Sequence, residues 1–105
     1  MISSLTRTQP GSIYLARLYG DKYCGRRLVV VVDAVPGVIT VVPIRTSQMH
    51  RSSISSVVID SNQTFLQRRI SVDCGKVIAL RRSSLLRKLG EVTDEQLDLI
   101  RRRVH

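Results

Sequence analysis

Tryptophan is absent from this chain of 105 residues, phenylalanine occurs once and tyrosine three times. A core without large aromatic rings must be filled by Val, Ile and Leu, which here cluster in short runs. None of those runs approaches the ~20 apolar residues that cross a bilayer, so no membrane span is expected. Met1 to Pro10 are polar, carry Arg7 and hold no apolar stretch of a secretory signal. The expected location is the cytoplasm. Histidine is confined to His50 and His105, which speaks against a Ser-His-Asp triad and against a two-histidine metal centre. Cys24 and Cys74 are the only cysteines. They complete no zinc-ligand pattern, spacing alone establishes no disulfide, and cytoplasmic thiols stay reduced. Both are read as packing or surface residues. Walker-type phosphate loops, Gly-rich dinucleotide fingerprints and G-x-S-x-G elbows are missing as well. Neither a cofactor nor a metal is expected.

Acidic residues are scarce. Eight Asp and Glu stand against 17 Lys and Arg, for a net charge of +9, and 14 of the cations are arginine. The imbalance is uneven along the chain. Residues 1–90 hold fourteen basic and four acidic side chains, a net +10, whereas residues 91–105 come out at −1. A planar guanidinium grips phosphate in two places where an ammonium acts as a point charge. An excess of this size and composition suits a polyanionic partner.

A length of 105 residues accommodates one domain, since single cores commonly occupy about 100–150 residues. It is read as spanning 1–105, with residues 1–10 as a flexible lead. Short apolar runs at Ser12–Tyr19, Arg27–Asp33, Gly37–Ile44, Ser56–Asp60, Ile70–Asp73 and Val77–Leu80 predict strands. Four successive valines, Val29 to Val32, suit a strand buried on both faces. Pro36-Gly37 marks a tight turn, and Pro43 belongs at a strand end or edge. Tyr19 to Gly25 and Thr46 to Ser53 read as loops. Helical character is expected late: Ser84–Leu89 as a short helix stopped by Gly90, then a second helix opened by a Thr93/Gln96 capping box, with Leu97, Ile100 and Val104 on one face. The predicted class is mainly β, a strongly bent antiparallel sheet covered by a C-terminal helix.

Two segments carry candidate chemistry. Gly25-Arg26-Arg27-Leu28 enters a buried strand, and Pro43-Ile44-Arg45-Thr46-Ser47 leaves the next. If the two strands pair through Pro36-Gly37, their outer ends meet, and Arg27 joins Arg45, Thr46 and Ser47 around one site. Guanidiniums hold phosphate, hydroxyls bond its free oxygens, and RNA supplies its own nucleophile in the 2′-hydroxyl. Strand-end surface charge is the alternative reading of the same residues.

Gly11-x-Ile13-Tyr14, Gly25-Arg26-Arg27-Leu28-Val29-Val30-Val31, Val41-Val42-Pro43-Ile44-Arg45-Thr46-Ser47, Ser71-Val72-Asp73 and the stretch from Leu85 to Leu97 follow one another in the order and spacing of the MazF/PemK toxins, which this chain resembles from Gly11 onward. The resemblance implies an SH3-like barrel of the CcdB/PemK type and a homodimer. It further implies a metal-independent, sequence-specific endoribonuclease that cuts single-stranded RNA, arrests translation and growth, and is restrained by an acidic cognate antitoxin. It points to Arg27 and Thr46 as catalytic, with Gly25, Arg26, Arg45 and Ser47 binding substrate, and likens Tyr19 to Cys24 to a loop closing over RNA. The chain departs from the family pattern in three places. Leu28 replaces the usual Pro, Arg45 stands where the Thr is expected directly after Pro-Ile, and Gly75-Lys76 stand near a usual Asp-Gln pair. A strand sends Arg45 and Thr46 to opposite faces, so Thr46 requires a local bulge to share a face with Arg27. Thr46 is favoured because a hydroxyl can accept a proton and a guanidinium cannot. Two other functions fit the same features: a CcdB-like gyrase poison and an RNA-binding module that does not cleave.

Overall fold

A computed structural model describes residues 8–19, 25–45, 56–59 and 70–104. Among these residues seven strands are formed: β1 (Ser12–Leu18), β2 (Gly25–Val35), β3 (Val38–Arg45), β4 (Ser56–Ile59), β5 (Ile70–Asp73), β6 (Ile78–Leu80) and β7 (Leu85–Glu91), followed by helix α1 (Asp94–Arg103). Every strand pair is antiparallel, and the sheet runs β4-β5-β3-β2-β1-β7, with β6 also pairing to β3. This is the mainly β architecture with a C-terminal helix read from the sequence. No helix among the described residues is long and apolar enough to cross a membrane.

The valine run behaves as its composition requires. Val30 and Val32 join Ile13, Val42, Ile44, Ile70, Val72, Cys74 and Ile100 on one face of the sheet. Val29 and Val31 join Ala16, Leu18, Ile39 and Val41 on the other. Each fully buried valine contributes roughly 1.5–3 kcal/mol of apolar burial, and because β2 is apolar on both sides it is fixed at the centre of the fold. The β2–β3 hairpin turns at Pro36-Gly37 between the pair Val35 and Val38. Gly37 takes φ 88°, an angle that side-chain-bearing residues rarely adopt.

The edge of β3 explains Pro43. Residues 39–41 of β3 pair with β6 and residues 44–45 with β5. Proline, which has no N–H to donate, falls where this edge passes from one neighbour to the other.

The structure corrects one expectation. Ser84–Leu89 is not a helix: a single 3-10 turn at Arg82–Ser84 leads into β7, and Gly90 lies opposite Ile13 in a ladder with β1. The register of that ladder shifts twice, leaving Leu86 and Leu89 without direct partners. Two bulges thus convert a leucine spacing of three to four into a strand. Pairing satisfies the outer edge of β1, and this tertiary demand outweighs a local helical preference.

Helix α1 begins as expected. The Thr93 hydroxyl accepts from the Gln96 N–H at 3.1 Å, and the Gln96 side chain accepts from the Thr93 N–H at 2.8 Å. Asp94 and Glu95 occupy the first turn and Arg101, Arg102 and Arg103 the last, each sign at the end of the helix dipole that favours it. Ile100 is fully buried, with Val92 and Val104 packed on the same cluster.

A third bulge lies inside β2. Val31 pairs with Val41 but Asp33 pairs with Thr40, so Val32 is the extra residue. Arg101 donates to the Val32 carbonyl from Nε at 3.1 Å and from Nη2 at 2.9 Å. The helix thereby supplies the partner that the interrupted ladder withholds.

Candidate phosphate-binding site at the open ends of β2 and β3

The bulge at Val32 decides which arginine reaches the site. Ala34 and Val31 both pack on the Ala16–Val41 face of the sheet, although three positions apart, because the extra residue resets the alternation between them. On the N-terminal side of the reset, Val29 keeps that face, and Arg27, two residues away, shares it. Arg27 lies opposite Ala16 across β1. Arg26 takes the other face, directly opposite Arg17, where two like charges repel.

β3 carries no such insertion at its end. Val29 is directly opposite Pro43, and Arg45 lies two residues past Pro43 as Arg27 lies two residues from Val29. The two side chains therefore share one face at the same end of the hairpin, whereas the sequence reading favours Thr46, not Arg45, for the place beside Arg27. The strand runs in register with β5 through Ile44↔Val72 and Arg45↔Ser71, so Arg45 is the residue of that segment which the described strand presents on Arg27's face. Thr46 and Ser47 lie outside the described residues, as do residues 20–24, which the sequence reading assigns to a loop. Tyr19, just past the end of β1, is 76% exposed.

Gly25 opens β2 with φ 101°. A Cβ added there would meet nothing within 4 Å, so the requirement for glycine comes from the backbone angle and not from crowding.

Pairing with β5 brings two further groups to Arg45. The carboxylate of Asp73 lies with Oδ2 3.5 Å from Arg45 Nη2, its side chain only 14% exposed against 47% for the arginine. Its Oδ1 accepts from the Gly75 N–H at 3.3 Å. Ser71 sits directly beside Arg45 in the ladder, is 6% exposed, and among the described residues its Oγ has no hydrogen-bond partner. An unmet hydroxyl in a buried position is costly, and such groups repay attention as places where a ligand would complete the bonding. The resemblance includes Ser71-Val72-Asp73 but implies no role for it. Its alternation of polar, apolar and polar residues was the available signal, and the 26-residue separation of Ser71 from Arg45 hid the contact.

Cys74 follows on the opposite side, in the helix-covered cluster. Burial pushes its thiol up to about 11, against partial relief from Arg103. A protonated, enclosed thiol is inert, in keeping with a packing role; Cys24 lies outside the described residues. Among the described residues no three His, Cys, Asp or Glu side chains converge as metal ligands.

Comparison with known proteins places these features in context. The sequence model of the family described as PemK-like, MazF-like toxin of type II toxin–antitoxin systems matches residues 9–105. No curated protein matches significantly. Among solved structures, the Mycobacterium tuberculosis toxin MazF-mt6 superposes with a TM-score of 0.71 at 20% identity, covering 89% of this chain and 91% of that one. An endoribonuclease in complex with its cognate antitoxin, from a mycobacterial species, superposes with a TM-score of 0.72 at 18% identity, covering 93% and 91%. At these identities the structures establish likeness of fold, and the family match carries the assignment.

Proposed function

Since the chain belongs to the PemK-like, MazF-like toxins of type II toxin–antitoxin systems, we propose that it is a metal-independent endoribonuclease acting on single-stranded RNA. In this reading it works in the cytoplasm as a homodimer, cuts at short sequence motifs, and so blocks translation and growth. An acidic cognate antitoxin restrains it by covering the basic surface of residues 1–90. The structural neighbour solved with its own antitoxin makes such a partner the natural one to seek.

The observation that carries the reading is the pair Arg27 and Arg45 on one face at the open end of the β2–β3 hairpin. The 2′-hydroxyl of RNA attacks the adjacent phosphorus and the 5′-oxygen leaves, giving a 2′,3′-cyclic phosphate and a 5′-hydroxyl. Charge accumulates on the non-bridging oxygens in the transition state. Guanidiniums directed at those oxygens stabilise it more than they stabilise the ground state. Arg27 is assigned that role. Gly25 lets the chain enter β2 beside the substrate, Arg45, Thr46 and Ser47 bind around the scissile phosphate, and Arg26 contributes from the far face to general attraction for the RNA backbone.

The test is incubation of the purified protein with a long RNA, with and without a chelator, followed by mapping of the new 5′ ends. Cleavage that persists in the chelator and falls about 10²–10³-fold in a folded Arg27→Ala variant is expected from loss of one charge-stabilising donor. An unchanged rate in Arg27→Ala refutes the assignment. Binding without cutting would identify an RNA-binding module, and inhibition of gyrase with RNA left intact would identify a gyrase poison.

A further inference from the structure

A half-buried strand is held in register by its hydrophobic pattern, because a slip of one residue turns its apolar side chains to solvent. In β2 that restraint is missing. Val29 and Val31 serve one face and Val30 and Val32 the other, so a one-residue slip exchanges valine for valine. The slack for such a slip is already in the strand, since Val32 stands unpaired between Val31↔Val41 and Asp33↔Thr40. Drawing Val32 into the ladder would leave the turn and the pairs from Val35↔Val38 to Asp33↔Thr40 in place. It would set Val32 opposite Val41, Val31 opposite Val42 and Val30 opposite Pro43. Alternation counted from Ala34 without the bulge then sends Arg26 to the face of Ala16 and Arg27 to the other face. Contacts with the bulged backbone must therefore separate the two registers. The Gly11 N–H donates to the Val31 carbonyl at 2.7 Å, a bond that Val32 would accept in its place after a slip. Arg101 is different. From helix α1 it donates at 3.1 and 2.9 Å to the carbonyl of Val32, and a slip would turn that carbonyl towards Gly11 and break both bonds.

We propose that Arg101 is a positioning residue for RNA cleavage. By holding the Val32 carbonyl it keeps the extra residue of β2 bulged out, and so keeps Arg27, not Arg26, on the face shared with Arg45. The consequence for catalysis rests on the ribonuclease reading above, whereas the register is a property of the fold alone. The C-terminal helix supplies none of the residues assigned to the site, yet through one guanidinium it selects which of two adjacent arginines enters it. A molecule in the slipped register has its Arg27 on the wrong side of the sheet and is inactive. Arg26 does not replace it, because in that register Arg26 lies opposite Leu18, two residues along β1 from Ala16, where Arg27 now stands.

Two measurements test this: cross-strand contacts by nuclear magnetic resonance, which report the register, and single-turnover cleavage of RNA at saturating protein. In the parent, Val31 should contact Val41. In Arg101→Met the ratio of slipped to native register is expected to rise roughly tenfold to a hundredfold on loss of the charged donor, so that contacts of Val31 with Val42 and of Val30 with Pro43 appear beside the native set. Cleavage should fall by the share of molecules that leave the native register. Arg101→Lys, which keeps the charge and one donor, should recover most of both readings, and Arg102→Met should alter neither. Deleting Val32 makes the pairs of Val31 and Asp33 consecutive and removes the slack. In that background Arg101→Met should cost no further cleavage, whereas a general loosening of the fold would cost as much as before. A single, native set of contacts in Arg101→Met overturns the proposal whatever the rate, and so does an undiminished loss in the deletion background. If Arg101→Met does not fold, Arg101→Lys read in the same two ways, at smaller amplitude, decides. A parent that cuts no RNA overturns the ribonuclease reading and leaves the contacts to decide on the register. A parent that cuts, with Arg101→Met held in one register, overturns this inference alone.

Discussion

Replacing Arg101 with methionine tests whether the helix holds the β2 bulge in place. The side chain donates twice to one carbonyl, at 3.1 and 2.9 Å, and that carbonyl belongs to the extra residue of the bulge, Val32, itself 5% exposed. Methionine keeps a stem of similar length against the sheet, so the change removes the guanidinium and little else. A hydrogen bond from a charged donor contributes about 1.5–3 kcal/mol, and leaving a buried carbonyl unmet costs roughly 1–3 kcal/mol. Arg101 is itself exposed, so water can take up part of the lost bonding, and the lower half of that range applies, about 1–2 kcal/mol. For a domain of this size a loss of that order lowers the melting temperature by about 5–10 °C. Thermal unfolding followed by circular dichroism, at one fixed protein concentration because the melting point of the proposed homodimer would depend on it, is the assay. Arg102→Met serves as the control, since Arg102 makes only a surface pair with Asp98 at 2.8 Å on the same helix, worth under about 1 kcal/mol. Equal melting points for Arg101→Met and Arg102→Met would refute the reasoning. The bulge would then be held by the packing of Val32 alone.

Thr93→Ala removes the hydroxyl half of the capping box and is expected to cost about 1 kcal/mol, measured by urea unfolding; Thr93→Ser should restore most of it. Arg26→Ala should slow RNA cleavage far less than Arg27→Ala while weakening binding in a salt-dependent manner, because Arg26 faces away from Arg45; equal losses of cleavage rate in the two variants would contradict the facial assignment. The thiol of Cys74 stands at about 11 in the folded chain against its ordinary 9.0. Below pH 9 both the folded and the unfolded thiol hold the proton, and between about 9 and 11 only the folded one does, so stability should fall as pH rises across that window. Cys74→Ala should lose less stability than the parent over the same window, and native Cys74 should resist alkylation until the chain is unfolded in denaturant.

Much of the architecture is legible in the order of residues because it depends on local chemistry. Val29 to Val32 suit a doubly buried strand, Pro36-Gly37 marks a turn, and Thr93 with Gln96 caps the helix that follows. The basic excess and the arginine-rich strand ends likewise suit a polyanionic partner on composition alone. What the sequence could not decide were matters of pairing. The leucines of 85–89 have helical spacing, and only the unpaired edge of β1 makes them a strand, by two bulges that no propensity encodes. The choice between Arg26 and Arg27 depends on one extra residue, Val32, because strand faces alternate with a period of two and a single insertion inverts everything beyond it. The neighbours of Arg45 depend on β5, which arrives from 26 residues away to set Ser71 beside it and Asp73 within 3.5 Å. Composition and periodicity act along the chain, whereas a site is made where distant strands meet, and that meeting is set by register.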